Sequence, residues 1–296
     1  MTAYFCFHGE PAVRLSRLTL GVGEESRAVM WRGEGPDDPV HSAFFFYDYA
    51  KLLMDEVGSS AGPPRGYFRL LRFTGRTPGA WRFEAMHVPR TGPSLPLGRL
   101  DIDVREPATL DADLLYTGKY LLWQRSVPPA LGAKAPLLFH ATSGLKGLQV
   151  GMFQSSKDQG PLPEGLYSFL THVNPRQSSV EAANKREDAL TNKEEGIEFL
   201  PVGGNGPVDT NWGTMRVRLT PLSGNMYGRG GFYLHNSHKG HSMGCVEVGP
   251  STDGLDFFSA LLIHAGSPSR KPRMTLRVKY SFPEQTTLGK TLTSGG

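Results

Sequence analysis

The stretch Gly228-Arg-Gly-Gly-Phe-Tyr-Leu-His-Asn-Ser-His-Lys-Gly-His-Ser-Met-Gly-Cys-Val-Glu-Val248 holds the chain's densest set of reactive side chains. A free thiol has a pKa near about 8.5 and is only a few per cent thiolate at neutral pH. Cys245 therefore needs a base within hydrogen-bond reach before it can serve as a nucleophile. His235 is the first candidate and His241, nearer in sequence, the competitor; His238 and His241 otherwise read as loop residues or substrate contacts. A second chemistry competes for the same side chains. His235, His238, His241 and Cys245 form H-x2-H-x2-H-x3-C, the ligand types that zinc prefers, at a spacing irregular for zinc motifs.

Positioning such a pair requires two strands and a loop. Phe232-Tyr-Leu-His235 reads as a strand that delivers a His at its end, Asn236 to Ser242 as a polar loop, and Cys245-Val-Glu-Val248 as a second strand. A hairpin-like return would bring His235 beside Cys245. A Cys just after Gly244, at the mouth of a strand, is expected to be exposed enough to attack and close to backbone amides that can hold an oxyanion.

The rest of the chain reads as β-dominated. Hydrophobic residues make up 39% and charged residues 20%, with 36 Gly and 23 Pro, apolar enough for a core and rich in turn formers. Runs such as Ala28-Val-Met-Trp31, Phe44-Phe-Phe-Tyr47, Tyr67 to Phe73 and Trp81 to Met86 are bounded by Gly, Pro or Asp turns and read as strands of an N-terminal module. Phe44 to Val57 is ambiguous between strand and helix. Pro89 to Pro107 is the expected boundary, giving an N-terminal β-rich module over 1–106, a second domain over 107–284 and a polar tail over 285–296. In the second domain Leu114 to Trp123 reads as strand, Thr-Gly turn, strand. Leu137 to His140, Leu148 to Phe153 and Met274 to Tyr280 read as further strands, and Ser178 to Glu195 as a short helix or loop inserted between strands.

A net charge of +4 with no basic run interleaved by aromatics argues against nucleic acid. No stretch approaches 18 apolar residues, so no membrane span is expected, and the first residues lack a basic segment followed by an apolar run. Two distant cysteines, Cys6 and Cys245, make no disulfide framework, and Cys6 reads as a buried strand residue.

The His, short loop and Ser-Met-Gly-Cys-Val segment resembles the active-site signature of the L,D-transpeptidases (YkuD-type). His140-Ala-Thr-Ser-Gly144, Gly160-Pro-Leu-Pro-Glu-Gly-Leu-Tyr167, Trp212-Gly213, Arg218-Leu-Thr-Pro221 and Tyr227-Gly-Arg229 fit the same family in order, so the resemblance covers about residues 113 to 281. It implies a β-sandwich or barrel catalytic domain without a cofactor. Cys245 would be the acylated nucleophile, His235 its base, and the Gly244 and Cys245 backbone the oxyanion donors. Ser143 and Ser242 would shape the pocket.

The ten-residue His-to-Cys interval resembles the family's short-loop subgroup, which includes type VI secretion effectors that attack the peptidoglycan of rival bacteria. That likeness implies a protein made in the cytoplasm without a signal peptide and active in a target periplasm. Its substrate would be the peptidoglycan stem tetrapeptide, and its partners a cognate immunity protein and a component of the secretion apparatus. Met243 stands where the family usually has a second His, and Glu247 where an Arg or Asn is common. Arg229 and Lys239, with Tyr227 and His241, are the candidates for holding substrate instead. A non-catalytic cell-wall-binding module on the same fold is the alternative that these two departures support.

Overall fold

The computed structural model describes residues 2–10, 13–34, 43–62, 66–88, 91–105, 111–132, 136–185, 196–201, 212–237, 239–251 and 254–280. The protein is mainly β and divides into two compact units, Met1–Thr109 and Leu110–Gly296. No helix among the described residues is long and apolar enough to cross a membrane.

The first unit contains β1 (Thr2–Phe7), β2 (Arg17–Gly21), β3 (Val29–Glu34), β4 (Ala43–Phe46), β5 (Leu52–Gly62), β6 (Gly66–Gly75), β7 (Gly79–His87) and β8 (Leu95–Arg105). They form two four-stranded sheets, β1-β3-β6-β5 and β2-β8-β7-β4. Aromatic side chains from both sheets meet between them: Phe73 lies 4.8 Å and Phe45 5.0 Å from Phe83, centroid to centroid. This packing is why the short aromatic runs become strands. The ambiguous segment after Phe44 resolves as β4, a turn and β5, with no helix. The Pro-rich stretch expected to be a boundary holds β8, which pairs with both β7 and β2; its prolines lie near the strand's start and beyond its end. Cys6 is buried in β1, as read from the sequence, and both cysteines are free.

The second unit contains β9 (Leu114–Tyr116), β10 (Tyr120–Trp123), β11 (Leu137–Ser143), β12 (Gly165–Leu170), α1 (Val180–Asn184), β13 (Ile197–Phe199), β14 (Met215–Arg218), β15 (Thr220–Ser223), β16 (Tyr233–His235), β17 (Val246–Ser251), α2 (Phe257–Gly266) and β18 (Arg273–Val278). One ten-stranded sheet takes the order β13-β14-β16-β17-β11-β10-β9-β18-β12-β15. It curls around a single apolar core to which nine of those strands and α2 contribute. Two sequence expectations fail here. Gly151–Phe153 is a 3-10 turn, not part of a strand. The helix α2 was not anticipated, because Phe257-Phe-Ser-Ala-Leu-Leu-Ile is apolar nearly all round and gives no helical stripe. Asp256 caps it by accepting from the Ser259 amide at 2.7 Å. The chain from 186 to 195, most of the expected insertion, and the tail after 280 lie outside the described residues.

Asp113 ties the entry of β9 to β18. Its buried carboxylate accepts from Lys271 Nζ at 2.7 and 2.8 Å and from the Thr275 amide and hydroxyl at 2.9 and 3.0 Å. Replacement by Ala strands a part-buried amide and removes the partner of a half-exposed lysine. Asp113→Ala is expected to lower stability by about 2 kcal/mol, read as a fall in the urea midpoint at unchanged slope.

Candidate active site

His235 closes β16, and Cys245 immediately precedes β17. These strands are parallel, with Leu234 opposite Val246 and His235 opposite Glu247. This corrects the hairpin-like return expected from the sequence: residues 236–245 carry the chain back past β16, so the two strands run the same way. In parallel register Cys245 falls beside Tyr233, and His235 lies one pair further on. Side chains alternate with period two, so Tyr233, His235, Cys245 and Glu247 project from one face.

That register extends across five strands. Glu198 pairs with Arg216, Arg216 with His235, His235 with Glu247, and Glu247 with Thr142. All five are buried. One residue along, Ile197, Val217, Leu234 and Val246 form the matching apolar row in the core. Arg216 Nε donates to Glu198 Oε2 at 3.1 Å, and Asn174 Nδ2 donates to Glu198 Oε1 at 3.0 Å.

The loop between the strands is clamped from beneath by Glu247. Its carboxylate accepts from the Ser237 hydroxyl and from the Lys239 and Gly240 amides, the last two at 3.2 and 2.8 Å. Gln149 Nε2 donates to the Gly240 carbonyl and to Thr142 Oγ1, both at 2.6 Å. Asn236 Oδ1 accepts from the Thr214 and Met215 amides at 2.8 and 2.9 Å, closing a turn in which Gly213 has φ +74°. A Cβ at Gly213 would lie 2.5 Å from Asn236 Oδ1, so that turn requires glycine. It sets Trp212 edge-on to His235, with ring centroids 5.4 Å apart.

Cys245 and His235 open into one cleft of about 350 Å³. Leu145, Trp212 and Met243 supply apolar lining, and Lys239, His241 and Ser242 polar lining. The thiol is 8% exposed, more enclosed than the sequence suggested. Burial pushes its pKa up to about 12, against the lowering effect of the donating Tyr233 amide and the positive Arg216 and Arg229. At neutral pH Cys245 is a neutral thiol.

The remaining sequence candidates are distributed as follows. The Ser143 hydroxyl accepts from the Leu162 amide at 2.8 Å, and the Ser242 hydroxyl donates to the Cys245 carbonyl. Ser242 N also donates to the Gly144 carbonyl at 3.0 Å, so Ser242 braces the turn that presents the thiol, while Ser143 ties the end of β11 to the segment at Leu162. Gly244 has φ +105°, and a Cβ there would collide with Arg229 Nη2. Arg229 spends donors on the Gly160 and Pro161 carbonyls, each at 2.7 Å, which makes it a brace beside Gly244. Tyr227 is exposed at φ +53° and lies outside the cleft lining. Lys239 and His241 line the cleft, with His241 Nδ1 3.1 Å from the Lys239 carbonyl. Met243 is 63% exposed at the rim.

Among the described residues no three His, Cys, Asp or Glu side chains come together as a metal site; His238, needed for the zinc spacing, lies outside them. Glu198, Arg216 and Gln149 escaped the sequence reading. Arg216 alternates with apolar neighbours in Met215-Arg-Val-Arg218, a pattern that reads as a solvent-facing strand side.

No family model and no curated protein matches the chain. Among solved structures it has a weak likeness to a cysteine protease inhibitor from Entamoeba histolytica, at 14% identity over 31% of this chain and 86% of that one, with a TM-score of 0.24. A second likeness, to amebosin, has 15% identity over 30% of this chain and 88% of that one, with a TM-score of 0.21.

Burial of Cys245 carries its own test. Iodoacetamide labelling at pH 8 is expected to be about 100-fold or more slower than labelling of a small free thiol, because only thiolate reacts. The rate should climb log-linearly with pH to at least pH 10; a plateau below pH 8 would contradict the raised pKa.

Proposed function

We propose that the second unit is a cysteine acyl-transfer enzyme that acts on peptidoglycan stem tetrapeptides, as an antibacterial effector with L,D-carboxypeptidase trimming or D-amino acid exchange as its reaction. The observation that carries this reading is the placement of His235 and Cys245 on one face of two adjacent parallel strands, both opening into the same cleft.

The chemistry follows from those two groups. Cys245 Sγ attacks the carbonyl of the third stem residue while His235 takes the thiol proton. The tetrahedral oxyanion is stabilised by the backbone at Gly244 and Cys245. As the C–N bond breaks, His235 returns the proton to the departing D-Ala amine and a thioester remains. Water, deprotonated by His235, then releases a tripeptide; a D-amino acid amine in its place gives exchange, and a neighbouring stem amine a cross-link. Lys239 and His241 suit a substrate that carries carboxylates, while Leu145, Trp212 and Met243 suit its aliphatic parts. Since Glu247 is used on the loop, it does not hold the substrate, and the carboxylate-binding role falls to Lys239 and His241.

In this reading the protein is made in the cytoplasm, delivered by a secretion apparatus and matched by an immunity protein in the producing cell. The enclosed, protonated thiol favours one competing reading, a wall-binding module without chemistry. Incubation with purified tetrapeptide muropeptides and mass spectrometry separates the two. Loss of the terminal D-Ala, abolished (at least about 1000-fold) by Cys245→Ala and by His235→Ala, is expected for the enzyme. Intact muropeptides bound by the unmodified protein would establish the module. Periplasmic expression in a test bacterium is expected to be toxic only with Cys245 in place.

A further inference from the structure

The mechanism above leaves one buried charged pair without a task. Glu198 and Arg216 are each 1% exposed and joined at 3.1 Å. Burying two charges costs several kcal/mol per ion before their attraction is counted, so such a pair is weak evidence for stability by itself. Its position is more informative. Arg216 is the in-register neighbour of His235 on β14, and two residues along, the Arg218 pair with Tyr233 places Tyr233 on the same strand boundary. The guanidinium carbon sits 5.0 Å from the Trp212 ring centroid and 4.9 Å from that of Tyr233. Trp212 is the ring set edge-on to His235, and Tyr233 is the residue beside Cys245 whose amide donates to Sγ. Arg216 thus touches both aromatic residues that frame the candidate pair, and Glu198, itself held by Asn174, fixes its fork.

We propose that Arg216 is a positioning residue: clamped by Glu198 between Trp212 and Tyr233, it fixes the ring that orients His235 and supplies the buried positive charge that favours the Cys245 thiolate as it forms. The inference rests on the cysteine reading of the site. The charged and titratable groups around the thiol are His235 on β16, Arg216 on β14 with Glu198 behind it on β13, Glu247 on β17, Arg229 ahead of β16, and Lys239 and His241 on the connecting loop. Arg229 is the second cation acting on the thiol, and it is held by backbone carbonyls on the far side of Gly244. Arg216 is the one whose aromatic contacts also reach His235.

The test uses the full-length protein and a readout that needs no peptidoglycan: the rate of iodoacetamide labelling of Cys245 between pH 8.5 and 10.5, on a Cys6→Ser background. Arg216→Gln is expected to slow labelling about tenfold at each pH, equivalent to one pKa unit, with an unchanged far-UV spectrum. Arg216→Lys, which keeps the charge, is expected to stay within about threefold of the parent. A merely structural pair would lower the melting temperature of both variants and leave the labelling profile alone; that result, or Lys labelling as slowly as Gln, overturns the proposal. If Arg216→Gln does not fold, Glu198→Gln decides: removal of the opposing carboxylate should leave labelling at or above the parent rate, and slower labelling overturns the proposal. Because labelling is independent of substrate, a charge effect without muropeptide turnover would sink the proposed enzyme while leaving the role of Arg216 on the thiol intact.

Discussion

Two parallel strands, β16 and β17, are joined by only ten residues, and the candidate site depends on how that connection is held. Parallel neighbours ordinarily need a crossover of about a dozen residues or more, usually through a helix that packs back on the sheet. Here no helix intervenes, so a polar loop must run back along β16 and be kept down by other means. The buried Glu247 carboxylate does this by collecting a hydroxyl and two amides from the loop, and Gln149 secures the far side through the Gly240 carbonyl. These part-buried backbone groups are thereby tied to the sheet, each hydrogen bond contributing about 1 kcal/mol. Glu247 is therefore the residue that makes the short connection workable.

With the connection fixed, the pleat arranges the chemistry. One face of β13, β14, β16 and β17 carries Ile197, Val217, Leu234 and Val246 into the core, so the register is set by apolar burial. The alternate positions on the other face are then obliged to be neighbours. Glu198, Arg216, His235 and Glu247 line up because a slip of one residue would exchange them with the core row. Within this row Glu198 and Arg216 form an ion pair, and buried charges are tolerable only when they are paired in this way.

Electrostatics at the thiol reflects a balance between enclosure and charge. Burial dominates and favours the neutral form, while Arg216, Arg229 and the Tyr233 amide act in the opposite direction. A thiol held protonated at rest is protected from adventitious oxidation and alkylation, and in the proposed reaction proton transfer to His235 would be part of the attack itself.

Much was legible in the sequence. Period-two alternation and turn residues marked most of the strands, and the His-to-Cys segment marked the side chains that share a cleft. The mainly-β class followed from composition and short apolar runs. What stayed hidden had a common cause. Whether β16 and β17 pair parallel or antiparallel depends on which edges are free when the sheet assembles, and local pattern does not encode it. Arg216 and Glu198 look like solvent-facing residues of alternating strands until Trp212 packs on the one and Asn174 bonds the other. Glu247 looks like a surface acid until the loop folds over it. The helix α2 carries an apolar residue even on its exposed face, at Ile263, which erases the stripe by which a helix is read. Local chemistry and periodicity thus determined which residues could act, and long-range burial decided which were brought together.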